Sequence, residues 1–308
     1  MAHSDVGDMA DGARGPPAAL SELGARMPDL KGQTISDFGE QWTAFRDNPG
    51  YYGSADLLGD LFGPLLTLDD IKGARVADIG SGTGRIVNML LDAGADRVLA
   101  VEPSAAFEVL KANTTAKADR IEYLQVPGDQ LPPGLGLDYV VSMGVLHHIP
   151  EPEPVVHAAF AALRPGGRCI VWLYGVEGNE TYLSIAIPLR KLTVRMPHRM
   201  LVALSHLLEF ALTGYIWLCR IIPLPMRSYM RSVLAKFPRS VRRLTIYDQL
   251  NPAYAKYYTR AEAEALLSDA GFADVQLYHR HGYSWTVSGT RPAGAHAQSA
   301  TEHTKGLH

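Results

Sequence analysis

Cysteine is nearly missing from this chain: the 308 residues contain two, Cys169 and Cys219. Two isolated cysteines form neither a disulfide framework nor a paired metal-ligand pattern, which excludes a stapled secreted scaffold and a zinc ribbon. The N-terminus lacks a basic start followed by an apolar run, so no secretory signal is expected and a reducing cytoplasm is the expected setting. A third glycine is missing too. Residues 80–85 read Gly-Ser-Gly-Thr-Gly-Arg, and Arg85 stands where a dinucleotide fingerprint needs its last glycine, which disfavours a nicotinamide-dependent oxidoreductase. What remains is ordinary for a folded protein, 47% hydrophobic and 20% charged, with enough chain for one large core or two modest ones.

The informative segment is Arg75 to Gly84, a short apolar run ending in Gly80, Gly82 and Gly84. Glycines after a strand allow a sharp turn and a close approach of backbone to ligand. Glu102 follows the next apolar run, Arg97 to Val101, where a carboxylate can accept from ribose hydroxyls. Asp78 inside the first strand points away from a pyrophosphate and toward a ligand that carries positive charge.

The stretch VADIGSGTGR resembles motif I of the class I S-adenosylmethionine-dependent methyltransferases. Four later segments are similar to that family in order: VLAVEPS (98–104), VPGDQLP (126–132), LDYVVSMGVLHHIPEP (137–152) and LRPGGRCIVWLYG (163–175). The resemblance covers residues 73–175 strongly and 257–290 moderately. It implies S-adenosylmethionine as cofactor, held by Asp78, Gly80, Ser81, Gly82, Thr83, Gly84, Glu102, Pro103, Gly128, Asp129, Gln130, Met143 and Gly144. Glu102 would meet the ribose and Asp129 the adenine amino group. No metal ligand set is expected.

Strands are expected at 75–79, 97–101, 121–126, 138–142, 168–174, 275–281 and 284–290, with helices between the first five, and a helix-like run spans Ala55 to Leu68. That alternation predicts an α/β, doubly wound, Rossmann-like sheet of seven strands closed by a hairpin. Thr259 and Glu262 spell a capping box, with Gly271 as the stop. The expected division is a disordered tail over 1–33, a helical cap over 34–72, the cofactor core over 73–175, a helical insert over 176–256, the end of the sheet over 257–290 and a second tail over 291–308.

The insert has its own character. Ser184 to Arg243 holds eleven Lys or Arg and one acid, Glu209, leaving 18 basic and 31 acidic residues elsewhere. An anionic partner is implied: an anionic substrate, a membrane surface or nucleic acid. Met200 to Cys219 is long enough to span a bilayer, but His206 and Glu209 near its middle disfavour that. A lid over the substrate or a helix packed in a homo-oligomer is the leading reading, and a peripheral membrane helix the next.

Greasy and basic together suggest a small-molecule acceptor of lipid-like or anionic amphiphilic kind. The expected reaction is an in-line methyl transfer to oxygen, with His147 or His148 as base after the fourth strand. Trp42, Tyr51, Tyr52, Tyr174, Tyr257, Tyr258 and His281 are the candidate substrate contacts. A nucleic-acid methyltransferase using the basic insert is the alternative, disfavoured because Ser142-Met143-Gly144-Val145 stands where adenine-amino enzymes carry Asn/Asp-Pro-Pro-Tyr. A non-catalytic cofactor-binding protein is the other, opposed by the presence of Asp78, Glu102 and Asp129 together.

Overall fold

The computed structural model of the protein describes residues 29–193, 196–250 and 254–294. Seven strands form one sheet: β1 (Arg75–Ile79), β2 (Arg97–Val101), β3 (Ile121–Leu124), β4 (Leu137–Met143), β5 (Leu163–Tyr174), β6 (Ala273–Arg280) and β7 (Ser284–Thr290). Their order is β3-β2-β1-β4-β5-β7-β6. β1 pairs in parallel with β2 and β4, whereas β7 runs antiparallel to both β5 and β6. The switch from β1 outward to β2 on one side and β4 on the other opens a crevice at the strand ends, the place where such sheets bind ligands.

Alternation along the strands divides the core in two. Val76 and Val98 face one apolar layer and Ala77 and Leu99 the other, as period-two side chains must when a sheet is covered on both faces. The first layer receives α2 (Ala55–Phe62) and α3 (Arg85–Asp92); the second receives α5 (Glu153–Ala162) and α10 (Arg260–Ser268). α4 (Phe107–Thr114) connects β2 to β3. α10 carries the expected capping box, with Thr259 accepting from Glu262 N–H and Glu262 answering the Thr259 backbone.

Several boundaries differ from the sequence reading. Residues 30–33, expected in a tail, open α1 (Leu30–Ala44), because the Asp29 side chain caps it by accepting from Gly32 N–H. The rest of that tail, 1–28, and residues 295–308 of the second lie outside the described residues. α2 stops at Phe62 and not at Leu68, since Gly63 takes φ +57 and Pro64 follows it. β5 begins five residues earlier than expected, at Leu163, which pairs with Leu137.

Between β5 and α10 the insert forms α6 (Glu180–Thr193), α7 (His198–Ile221), α8 (Arg227–Ser232) and α9 (Arg239–Leu250). Its two ends meet at a narrow neck. Gly175 bridges Tyr258, and Tyr258 N–H donates to the Tyr174 carbonyl at 2.8 Å while Val176 N–H donates to the Tyr258 carbonyl at 2.9 Å.

Candidate active site

The turn after β1 is built by backbone freedom. Gly80, Gly82 and Gly84 take φ of +77, +52 and +80, a region that side chains other than glycine avoid. Space is short as well: a Cβ on Gly80 would lie 2.5 Å from Val145, and one on Gly82 would lie 3.3 Å from the Trp42 indole nitrogen. α3 starts directly from Gly84, so its N-terminus faces the turn.

Around this turn sit three carboxylates. Asp78 is buried and its Oδ2 has no hydrogen-bond partner; burial pushes its carboxyl up to about 7. Glu102 accepts from Gly82 N–H at 2.8 Å, from Ser104 N–H at 2.9 Å and from the Ser104 hydroxyl at 2.5 Å. Asp129, in the turn Gly128–Gln130 after β3, holds Lys31 Nζ at 2.7 Å while its Oδ1 is unpartnered. An orphaned buried carboxylate oxygen beside a crowded glycine turn fits a ligand that brings a positive charge and hydrogen-bond donors.

Next to this turn, at the ends of β4 and β5, lies a cavity of about 410 Å³. Met143 and Gly144 line it, as do Trp42, Tyr52, Tyr174 and Tyr257 from the expected substrate contacts. The other three expected contacts are elsewhere. Tyr51 packs on Phe237 beneath Lys236, Tyr258 is in the core of the neck with its hydroxyl unpartnered, and His281 is bonded through Nε2 to Asp60 Oδ1 at 2.9 Å.

Neither histidine reaches the cavity wall. His147 is fully buried with both ring nitrogens unpartnered, and its ring lies 3.7 Å from that of Tyr174, which does face the cavity. His148 is tied through Nδ1 to the Tyr254 carbonyl at 3.0 Å. Burial lowers the pKa of both, most strongly for His147. Both rings pack against Tyr174 of β5, and His147 also meets Trp172 edge-on.

The polar side of the cavity comes from residues the sequence reading passed over. Asp248 and Gln249, at the end of α9, line it with Tyr182 and Arg85. Asp248 accepts from the Tyr174 hydroxyl at 2.9 Å and from Gln41 Nε2 at 2.9 Å. Gln249 Nε2 donates to the Tyr174 hydroxyl at 2.8 Å, and its Oε1 accepts from Tyr182 and Tyr257 at 3.0 and 2.9 Å. α7 contributes Leu208 and Leu212, so the insert forms part of the cavity wall.

Residues 77–169 match the family described as a methyltransferase domain. This segment is a methyltransferase domain. Human N-acetylserotonin methyltransferase in complex with S-adenosylmethionine shares the fold of this chain, with a TM-score of 0.50 at 13% identity over 89% of this chain and 62% of that one. Among curated proteins, the tRNA U34 carboxymethyltransferase of Idiomarina loihiensis is 31% identical over 119 residues, 37% of this chain and 37% of its own. That of Hahella chejuensis is 36% identical over 116 residues, 37% of this chain and 36% of its own. The chain thus spans little more than a third of the length of the curated relatives it matches.

These relatives overturn two expectations, the small-molecule or lipid-like acceptor and the ranking of nucleic acid as an unlikely partner, and favour the nucleic-acid alternative instead. Both rested on weak physical grounds. The composition of the insert describes its surface and says nothing of the atom at the donor site. The missing Asn/Asp-Pro-Pro-Tyr excludes a grip on a planar amino group, but uracil has no such group.

Proposed function

We propose that this chain transfers a methyl or substituted methyl group from an S-adenosyl sulfonium donor to a uridine-type base in tRNA. The observation that carries the reading is the recurrent match of the core to tRNA U34 carboxymethyltransferases at 31 and 36% identity. The cavity supports it. Enzymes that act on a base take it out of the stack and hold it between aromatic faces while polar groups meet its edge. Here Trp42, Tyr52 and Tyr257 supply aromatic walls, the Tyr174 ring being already stacked on His147 and Tyr257, and Asp248 and Gln249 offer polar atoms, in a space of about 410 Å³.

In this reading Asp78 faces the donor's positive charge, Glu102 with Ser104 sets the ribose, and Asp129 takes the adenine edge. When bound, the donor supplies an electrophilic carbon on a sulfonium that leaves as a neutral thioether. The chain's own task is alignment and exclusion of water: Met143 and Gly144 border the reacting end, and the walls from Trp42, Leu208 and Leu212 keep it dry. An acceptor hydroxyl must lose its proton, and Asp248 is the carboxylate on that wall to receive it, through the Tyr174 hydroxyl or directly. Exposed cations of the insert outside α7, such as Arg239, would meet tRNA phosphates, so binding should weaken with salt. That acceptor agrees with the cytoplasmic setting expected from the free, buried Cys169 and Cys219.

The test is transfer of label from S-adenosylmethionine to total tRNA, followed by digestion to nucleosides. Label on a single modified uridine supports the reading. A protein that binds the donor yet labels only non-nucleic extracts, or needs a carboxylated donor to label tRNA at all, would separate the acceptor question from the donor question.

A further inference from the structure

α7 has two apolar faces, and only one is used by the fold. The inner face packs Leu201, Leu208, Ile216 and Cys219 against α9 and the layer beneath it. On this side Glu209 is buried and bonded to Arg242 of α9 at 3.0 Å. The opposite face carries Met200, Leu207, Phe210, Trp217 and Ile221, at intervals of seven, three, seven and four residues, so they form one stripe along the helix. Leu207 is 67% exposed, Phe210 78%, Trp217 58% and Ile221 64%. Soluble surfaces scatter such side chains singly, and a continuous row marks a contact.

The charges around the stripe select its partner. Arg220 is exposed beside Trp217 and Ile221, and Arg199 is exposed at the start of the helix. Beyond the C-terminal end, Arg227, Ser228, Arg231, Ser232 and Lys236 line an open basic crevice. Glu209 is the sole acid from Ser184 to Arg243, and it faces inward. A second copy of this surface would bring like charges together with no carboxylate to meet them. Phosphates of a nucleic acid would satisfy the cations but leave Leu207, Phe210 and Trp217 in water. An anionic bilayer meets both demands, acyl chains for the stripe and headgroup phosphates for the rim.

We infer that the outer face of α7 docks the protein on an anionic lipid bilayer, with the helix lying in the plane of the headgroups. One helix, Arg199–Ile221, has the length and composition to cross a membrane among the described residues. Crossing would strip Glu209 from Arg242 and pull the inner face off α9, at a cost in buried unpaired charge of several kcal/mol. Lying flat keeps those contacts and buries only the exposed row, about 35 Å long for a helix of this length. This inference stands apart from the acceptor, because none of the stripe residues lines the cavity.

Co-sedimentation of the full chain with vesicles tests it, using neutral phosphatidylcholine against a three-to-one mixture with phosphatidylglycerol. The expected result is binding to the anionic vesicles alone. Leu207→Ser with Phe210→Ser and Trp217→Ser should lower the partition by at least about tenfold while donor binding, measured by calorimetry, stays as in the parent. Arg231→Glu with Lys236→Glu should abolish the preference for the anionic mixture. Equal pelleting of the triple serine variant would overturn the inference. So would a parent that ignores vesicles but forms a dimer undone by the same three changes, or one whose vesicle-free tRNA affinity falls with them.

Discussion

Lys31 Nζ lies 2.7 Å from Asp129 Oδ2, which ties α1 across the carboxylate that the donor's adenine would use. The pair is part-exposed, 49 and 25% at the two side chains, so it contributes little to stability, about 0 to 1 kcal/mol. Its interest is competition. Lys31→Ala should leave the melting temperature unchanged and tighten donor binding slightly, whereas Asp129→Ala should weaken donor binding about tenfold or more. Calorimetric titration of both variants decides this; equal affinities in parent and Asp129→Ala would remove Asp129 from the site.

Asp78 makes the free protein sensitive to pH. Its carboxyl stands at about 7 in the folded chain against 3.8 ordinarily. A carboxyl raised on folding contributes stability that is fully present below about pH 4 and is lost as pH rises through about 7. The shift corresponds to roughly 4 kcal/mol. Asp78→Asn should therefore melt higher than the parent at pH 8 and show a smaller pH dependence, while failing to bind the donor. In the parent, donor affinity should fall as pH drops below 7, because the cation then meets a neutral acid. A flat affinity from pH 5 to 8 would contradict this.

On the proposed mechanism Asp248 receives the proton that chain position assigns to His147. Asp248→Asn should retain donor binding and slow transfer by roughly 10² to 10⁴-fold. His147→Gln should keep turnover of the same order as the parent, with loss of thermal stability from disturbed packing on Tyr174. Single-turnover rates with label distinguish them. A large rate loss confined to His147→Gln would return the proton to the histidine.

Arg280 is almost fully buried, bonded to Asp60 through two nitrogens and to the Tyr283 hydroxyl, and it borders the cavity. Asp60→Ala would strand that charge and should cost about 3 to 5 kcal/mol. Asp60→Ala combined with Arg280→Met should recover most of the loss. Denaturant midpoints of the two variants give the answer, and an additive double variant would mean the ion pair is not the source.

The sheet was legible because strand signals are local. β1, β2 and β7 stand where apolar runs between glycine and charged residues put them, and Thr259 with Glu262 caps α10 as spelled. Gly80, Gly82, Gly84, Glu102 and Asp129 converge because each follows a successive parallel strand. Asp248 and Gln249 were not legible, since their meeting with Tyr174 joins residues 74 and 75 positions apart through the packing of α9. The one hint in the sequence was an acid and an amide closing an otherwise basic segment. The histidines misled for the converse reason: adjacency to β4 in the chain fixes a backbone position but leaves the ring direction to the turn that follows.

At Gly175 and Tyr258 the chain leaves the sheet and returns within a few ångströms, closed by backbone hydrogen bonds to Tyr174 and Val176. Some eighty residues therefore enter and leave the sheet at one point, while their side chains join the core beneath β1 and β5. The cavity is thus walled jointly by the sheet end and by a segment tethered to it at a single neck. For engineering, the same neck marks the two positions at which a foreign acceptor module could be joined to this donor-binding sheet.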